Sequence, residues 1–497
     1  MNPSIIKNLL ILAVILVIAV VFGFLLASGD LTLLFLLAYA AITLYVLIFP
    51  GYLPLIALGL LCPFVLPIPY ISNFPFLLLI LGICCVKYFF EHALSERQRT
   101  VKHCLTIGIV LFFGWVLMRY CMNPVKPNVQ GFGANVTGFR SYLNYAMCFI
   151  LILLLPYFVT SRKDVKDLLK WMARISVFFI LLMTPFVFSK SGTAAYWLSL
   201  FGLNVSFFDN GWLRFVALPG FGIVLISLFL VPKIVDWSFK KRLIMLGFGI
   251  VAIFLGGNRG SFVQVLAILL AVEFLRRRYF RLIVIAIGIA IILSSFYIIG
   301  ERIDLSRGVG SLRILSLVSK RVAEASGAVD TSDWRMMRWQ RAINEIIANP
   351  LFGKGYGGVE NAWVFADISQ FEDARIEVDL ATGGIHNGFI SCAYSLGIPA
   401  LIIFLFVYLD KIWCCFKFSE KLKYVDEELS EFCVWTGANL IGLVLAIYIG
   451  ADLNAPIIWF YTAMAIYLIK LAQVEAPLPQ PVPVIAEQPI PQPAEQP

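Results

Sequence analysis

Apolar runs, most of them 15 to 20 residues long, recur along nearly the whole chain, and nothing else in the sequence constrains the fold as strongly. They fall near 9–27, 31–49, 53–67, 76–90, 104–119, 142–160, 175–188, 213–232, 243–257, 260–275, 282–300, 388–408, 433–450 and 455–470. A hydrocarbon layer about 30 Å thick takes roughly 20 helical residues to cross. Within it each backbone N–H must be satisfied locally, which favours helices. Only 14% of the 497 residues are charged, against about 25% in soluble domains. The expected fold class is therefore all-α: a polytopic membrane protein of 12–14 transmembrane helices. The proline-rich third run, and the pair meeting near Gly256, are candidates for broken or re-entrant segments.

In such a chain the net charge of +9 reports orientation before it reports a partner, and it does not argue for nucleic acid. With the N-terminus in the cytoplasm and the sides alternating, the inner loops hold 21 basic residues and the short outer loops five. An even number of spans returns the C-terminus to the cytoplasm. The first run follows Lys7, but "LLASGD" is a poor cleavage site and another run follows at once, so an uncleaved first helix is expected. Ten cysteines show no metal-ligand spacing with histidine, and no disulfide or zinc site is expected.

Four parts follow: membrane helices over 1–300, one large extracytoplasmic loop over 301–385, the C-terminal helices over 386–472, and a proline-rich tail over 473–497. The loop is partly helical. Leu312, Leu315, Val318 and Val322 form one stripe; a second helix opens at Ser332 or Asp333 and stops before Pro350, with Met336, Trp339, Ile343 and Ile346 on one face. Such helices lie on the membrane surface or cap the bundle. The last 23 residues contain eight prolines and cannot pack a core; they read as a solubilising tail or as a ligand for a cytoplasmic partner.

Five polar residues stand out where the predicted spans end. His386, the one histidine on the outer side, precedes Asn387, a candidate cap for a helix starting near Gly388. It reads either as interfacial polarity or as a general base, since imidazole titrates near neutral pH. Arg259, in "GGNRGSF", is a snorkelling anchor or a functional charge among accessible backbone N–H groups. Arg335 shares a helix face with Trp339, whose ring is placed to stack on it. The "NPLFGKGYGG" that follows is a flexible exit or an anion-binding nest. Arg140 and Arg214 head further spans. Guanidinium forks suit phosphate, though each arginine alone also fits an interface anchor. No Walker-type loop, Asp-x-Asp motif or nucleophile elbow is present.

The ordered set "RFVALPG", "GGNRGSF", "WRMMRWQRAINEIIANPLFGKGYGG" and "HNGFISCAYSLGIPAL" resembles the O-antigen ligase/polymerase family of the bacterial inner membrane, over roughly Gly211 to Leu401. The resemblance implies transfer of a glycan from undecaprenyl diphosphate, without a metal or other cofactor and with inversion, to an acceptor hydroxyl on lipid A–core or on a growing polysaccharide, at the periplasmic face. By the same resemblance Arg259 and His386 are catalytic, and Arg214, Arg335 and, on position alone, Arg140 bind the diphosphate. Polymerase activity on the same donor is the first alternative, and a non-catalytic lipid-linked glycan transporter the second. The chain departs from the family pattern at Asn258, where serine is usual, and at Pro399, where glycine is; the glutamate that ligases often carry near Tyr394 or Ser395 is missing.

Overall fold

The computed structural model describes residues 53–61, 65–68, 71–94, 105–124, 139–188, 205–207, 213–304, 310–326, 328–356, 376, 380 and 385–475. The first two expected spans, His103, and the tail beyond residue 475 lie outside them. The described residues form fifteen α-helices: α1 (Leu53–Leu61), α2 (Phe76–Leu94), α3 (Ile107–Met122), α4 (Phe139–Phe158), α5 (Arg162–Val187), α6 (Leu218–Leu230), α7 (Phe239–Gly256) and α8 (Arg259–Leu275); then α9 (Tyr279–Arg302), α10 (Lys320–Ala325), α11 (Ala328–Ala348), α12 (Gly388–Leu396), α13 (Ile398–Leu422), α14 (Glu427–Ile449) and α15 (Pro456–Glu475). Two short antiparallel ladders accompany them, β1 (Val65–Ile68) with β2 (Ile71–Pro75), and β3 (Val205–Phe207) with β4 (Leu213–Phe215). The proline-rich third run is thus a nine-residue helix followed by a hairpin, about half the length needed to cross.

Among the described residues, α4, α5, α9, α13, α14 and α15 are long and apolar enough to span a membrane, and α3, α6 and part of α2 are shorter apolar helices. The periphery shows which solvent the fold is built for. α9 buries only Gly300 along its 24 residues, leaving Ile283, Val284, Ile287 and Ile291 more than half exposed. Apolar surface on that scale belongs in lipid. The protein is an integral membrane protein.

At the centre lies α14, which buries fifteen residues and packs against α8, α13 and α15. Small residues set the spacing, as expected where packing rather than water drives association. A Cβ on Gly222 of α6 would lie 2.6 Å from the Gly249 carbonyl of α7, and one on Gly442 of α14 would lie 2.5 Å from Ile268 of α8.

The bundle has two unlike ends. At one, the starts of α5 and α14 meet the ends of α8 and α13 in ion pairs: Arg162–Asp426, Lys166–Glu428 (2.9 Å), Lys166–Asp236 (3.3 Å), Lys233–Glu427, Arg276–Glu431 and Arg277–Glu420. At the other, α7 and α14 end while α8 and α12 begin.

The long segment between α9 and α12 departs in detail from the periodicity reading. The Leu312–Val322 stripe is two pieces, a 3-10 turn (Gly310–Leu317) and α10, because Ser319 accepts from Val322 N–H and starts a new helix. α11 begins at Ala328, so Ser332 and Asp333 lie inside it and cap nothing. Its buried side runs through Arg338 and Ala342, with Trp334, Trp339 and Ile346 partly buried, whereas Met336 and Ile343 are exposed. The polar residues of the segment cover the bundle end, which is why a purely hydrophobic stripe misplaces the contact face.

Candidate active site

"GGNRG" is a helix break. α7 closes on Gly257, whose φ of +56° is the left-handed cap that glycine adopts without strain. Asn258 then caps α8 by accepting from Gly260 N–H at 3.0 Å. Serine and asparagine are equivalent at this position, so the departure at Asn258 leaves the local structure intact. The break places Arg259 at the first residue of α8, half-buried.

Arg214, on β4, turns toward the same break. Its Nε–H donates to the Gly256 carbonyl at 3.1 Å, at the negative end of the α7 dipole. The 3-10 turn packs on α7, α8 and α9 and brings in Arg313. Arg335 arrives on α11. The four guanidinium groups act on one another: Arg214 is pushed down to about 10 by burial first, then by the charges of Arg313, Arg259 and Arg335. Burial and then Arg313 also hold Arg335 below the usual guanidinium range, and Arg259 feels both Arg313 and Arg335. Among the described residues none of the four pairs with a carboxylate, and the Arg335 Nε is buried without a partner. Four partly desolvated, mutually repelling cations are an arrangement that an anion would relieve.

His386 stands just outside α12, exposed, with a φ of +54°. Asn387 is the helix cap, accepting from Phe389 N–H (3.1 Å) and Ile390 N–H (3.2 Å). The turn is tied to α11 by Trp339, whose indole N–H donates to the Ile385 carbonyl at 2.9 Å. Trp339 packs its ring on Tyr448 (5.9 Å) and does not stack on Arg335; Trp334 carries a cation instead, that of Arg338, at 5.4 Å. The end of α14 joins the two halves. Ile449 lies against Gly260, beside Arg259, and the next residue, Gly450, lies against the His386 ring. Arg259 and His386 thus flank one helix end.

The glycine-rich turn is a latch. Lys354 N–H donates to the Tyr394 carbonyl (2.7 Å) and Gly355 N–H to that of Ser395 (2.9 Å), while Ile398 N–H donates back to Pro350 (2.8 Å). Gly353 N–H bonds Asn349, and Tyr356 N–H bonds the Tyr142 hydroxyl at 3.5 Å. These four N–H groups of the turn are spent, so its described part, up to Tyr356, offers no nest. Its glycines serve close approach: a Cβ on Gly353 would sit 2.5 Å from the Tyr394 carbonyl oxygen, and across the latch one on Gly397 would sit 2.0 Å from that of Leu351.

Residues 243–405, from α7 into α13, match a family model described as O-antigen ligase. Over those residues the chain is similar to the O-antigen ligase family. No curated protein matches it. The matched stretch contains Arg259, Arg313, Arg335 and His386; Arg214 joins the cluster from outside it.

Sequence reasoning missed Arg313, whose signal was a lone charge in the apolar "LRIL". It also proposed Arg140, which is the second residue of α4. A further arginine, Arg119, lies 6% exposed under the latch and donates to the Gly353 carbonyl at 3.1 Å.

Proposed function

We propose that this O-antigen ligase-type protein transfers a glycan from undecaprenyl diphosphate to an acceptor hydroxyl at the periplasmic face of the bacterial inner membrane. One observation carries the reading: four guanidinium groups converge without a carboxylate among the described residues, next to an exposed histidine at the same bundle end. Orientation follows from charge. The end rich in Lys and Arg faces the cytoplasm by the positive-inside rule, which turns the arginine cluster outward.

The acceptor oxygen attacks the anomeric carbon on the side opposite the diphosphate, inverting its configuration. Its proton passes to an imidazole nitrogen of His386. The bond from anomeric carbon to phosphate oxygen breaks, and its electron pair stays on the undecaprenyl diphosphate. That new charge forms among Arg214, Arg259, Arg313 and Arg335, which neutralise it in the way a divalent metal does in other transferases. Fixed cations suit this step because their mutual repulsion falls as the leaving group gains charge.

The test uses purified protein in lipid vesicles with undecaprenyl-diphosphate-linked glycan and a panel of acceptors. Transfer by wild type, lost in His386→Ala with donor binding retained, supports the reading. Glycan moved to lipid A–core marks a ligase; a ladder on the carrier marks a polymerase. Glycan crossing the bilayer in both proteins without transfer replaces the reading with transport.

A further inference from the structure

A groove of about 460 Å³ opens between α3 and α4, on the far side of α12 from His386. Its walls are apolar, among them Val110, Phe113, Leu117 and Phe149, with Tyr120 and Tyr142 toward one end. From Val110 to Tyr120 it follows α3 for about 15 Å. Val110 and Leu117 are more than half exposed, so it opens sideways into the surrounding lipid.

The tyrosine end is cationic. Arg119, in the last turn of α3, is 6% exposed, and its Nε is buried without a hydrogen-bond partner. The guanidinium makes one hydrogen bond, to the Gly353 carbonyl, and no ion pair among the described residues. It lies close enough to Tyr142, a wall of the groove, to act on its phenol. A buried cation that no described carboxylate pairs with is expensive unless an anion completes it. An apolar trough ending in such a cation has the shape and charge of one kind of guest, a hydrocarbon chain with a phosphate head.

Placement separates this guest from the donor. Arg335 lies one turn before Trp339, which is tied to the start of α12, whereas Arg119 lies under the latch at the end of α12. Nine helical residues set the two ends apart by about 13 Å. One diphosphate cannot be held at both.

We propose that the α3–α4 groove seats the hydrocarbon chain of the acceptor, and that this acceptor is a phosphate-headed lipid bound by Arg119. The inference rests on the transferase reading above. With the donor diphosphate in the four-arginine cluster, the two lipid substrates approach from opposite ends of α12.

Gly114 lies in the groove wall, and a Cβ there meets nothing within 4 Å. Gly114→Trp therefore fills the groove without disturbing the core. In lipid vesicles it is expected to raise KM for a lipid-anchored acceptor at least tenfold, leaving KM for the donor and for the same acceptor stripped of its chains within twofold. Arg119→Gln is expected to act in the same direction, with partial rescue by Arg119→Lys. Independently of turnover, photoactivatable phosphatidic acid is expected to crosslink to α3 and α4 in wild type, several-fold more than the matching diacylglycerol, and not in Gly114→Trp. An unchanged acceptor KM, a raised donor KM, or equal crosslinking by the neutral lipid overturns the proposal. Wild type that transfers to no acceptor overturns the transferase reading, and the acceptor assignment with it; the crosslink then reports whether the groove binds an anionic lipid at all.

Discussion

Neutralising Arg313 is expected to strengthen the empty protein while weakening its hold on the donor. Arg214 is lowered to about 10, by burial first and then by the charges of Arg313, Arg259 and Arg335. At 1.36 kcal/mol per pH unit, the total penalty on that guanidinium is about 3 kcal/mol. Burial is the largest single cause, and the three neighbouring charges add to it. The sign is fixed. A base lowered in the fold destabilises it at every pH below about 10, and the penalty fades only as pH rises from there to the ordinary guanidinium range. Removing Arg313 lifts part of this penalty from Arg214, Arg259 and Arg335 together, so Arg313→Gln is expected to raise the apparent Tm of the ligand-free protein slightly. The donor loses a charge-assisted hydrogen bond worth about 1.5–3 kcal/mol, or roughly 10- to 100-fold in affinity. Thermal unfolding in detergent, with and without undecaprenyl diphosphate, reads both effects. A lower Tm for the free variant, together with donor affinity within twofold of wild type, would falsify the cluster as an anion site.

The latch predicts that Gly397→Ala, at φ +89° with a Cβ 2.0 Å from the Leu351 carbonyl, lowers Tm and yield sharply. Gly220→Ala, where a Cβ meets nothing within 4 Å, leaves both unchanged. Asn258→Ala is expected to cost about 1 kcal/mol of stability and to reduce transfer, whereas Asn258→Ser stays within twofold of wild type, as unfolding and turnover measured side by side would show. Asp452, in the turn between α14 and α15, is raised by burial from 3.8 to about 6. The fold therefore favours its neutral form, and stability falls as pH rises from about 4 to 6. Asp452→Asn is expected to raise Tm at pH 7.5, by at most about 3 kcal/mol of stability, with the gain vanishing below pH 4. Trp339→Phe keeps the ring but frees the Ile385 carbonyl; kcat is expected to fall about tenfold with the donor Kd unchanged, and an equal rise in Kd would count against a role in placing His386.

What was legible in the sequence depended on how local each feature is. Arg214, Arg259, Arg335 and His386 each stand at a border between apolar and polar residues, where a charge is conspicuous, and the helix break at "GGNRG" is written in five consecutive residues. Arg313 was hidden because a charge every few residues in "SLRILSLVSKRV" also describes a surface helix; only packing on α7, α8 and α9 makes it a site residue. The glycine-rich turn misled for a related reason. Glycine spacing reveals a permissive backbone but not which acceptor takes each N–H, and here the acceptors are carbonyls some forty residues later, at Tyr394 and Ser395. Arg119 was missed for a similar reason: it sits at the end of a span, and nothing in its neighbours tells a snorkelling anchor from a cation enclosed by a distant loop.

These particulars share one physical pattern: the site is assembled from the ends of helices. Asn258 and Arg259 open α8, Gly256 closes α7, Ile449 and Gly450 close α14, and His386 and Asn387 precede α12. In a membrane bundle the middle of each span must be apolar and self-satisfied, so the ends are where polar groups, free backbone geometry and water meet. The strain sits there too. His386 holds a left-handed φ of +54°, a conformation that costs a non-glycine residue on the order of 1–2 kcal/mol. Asn387, Trp339 and Gly450 fix the turn from three sides. A glycine would adopt that backbone with less strain, but it would bring no imidazole. An ionisable ring on a strained turn, beside a helix end shared with Arg259, is the arrangement that the proposed attack on the anomeric carbon of a lipid-linked glycan calls for.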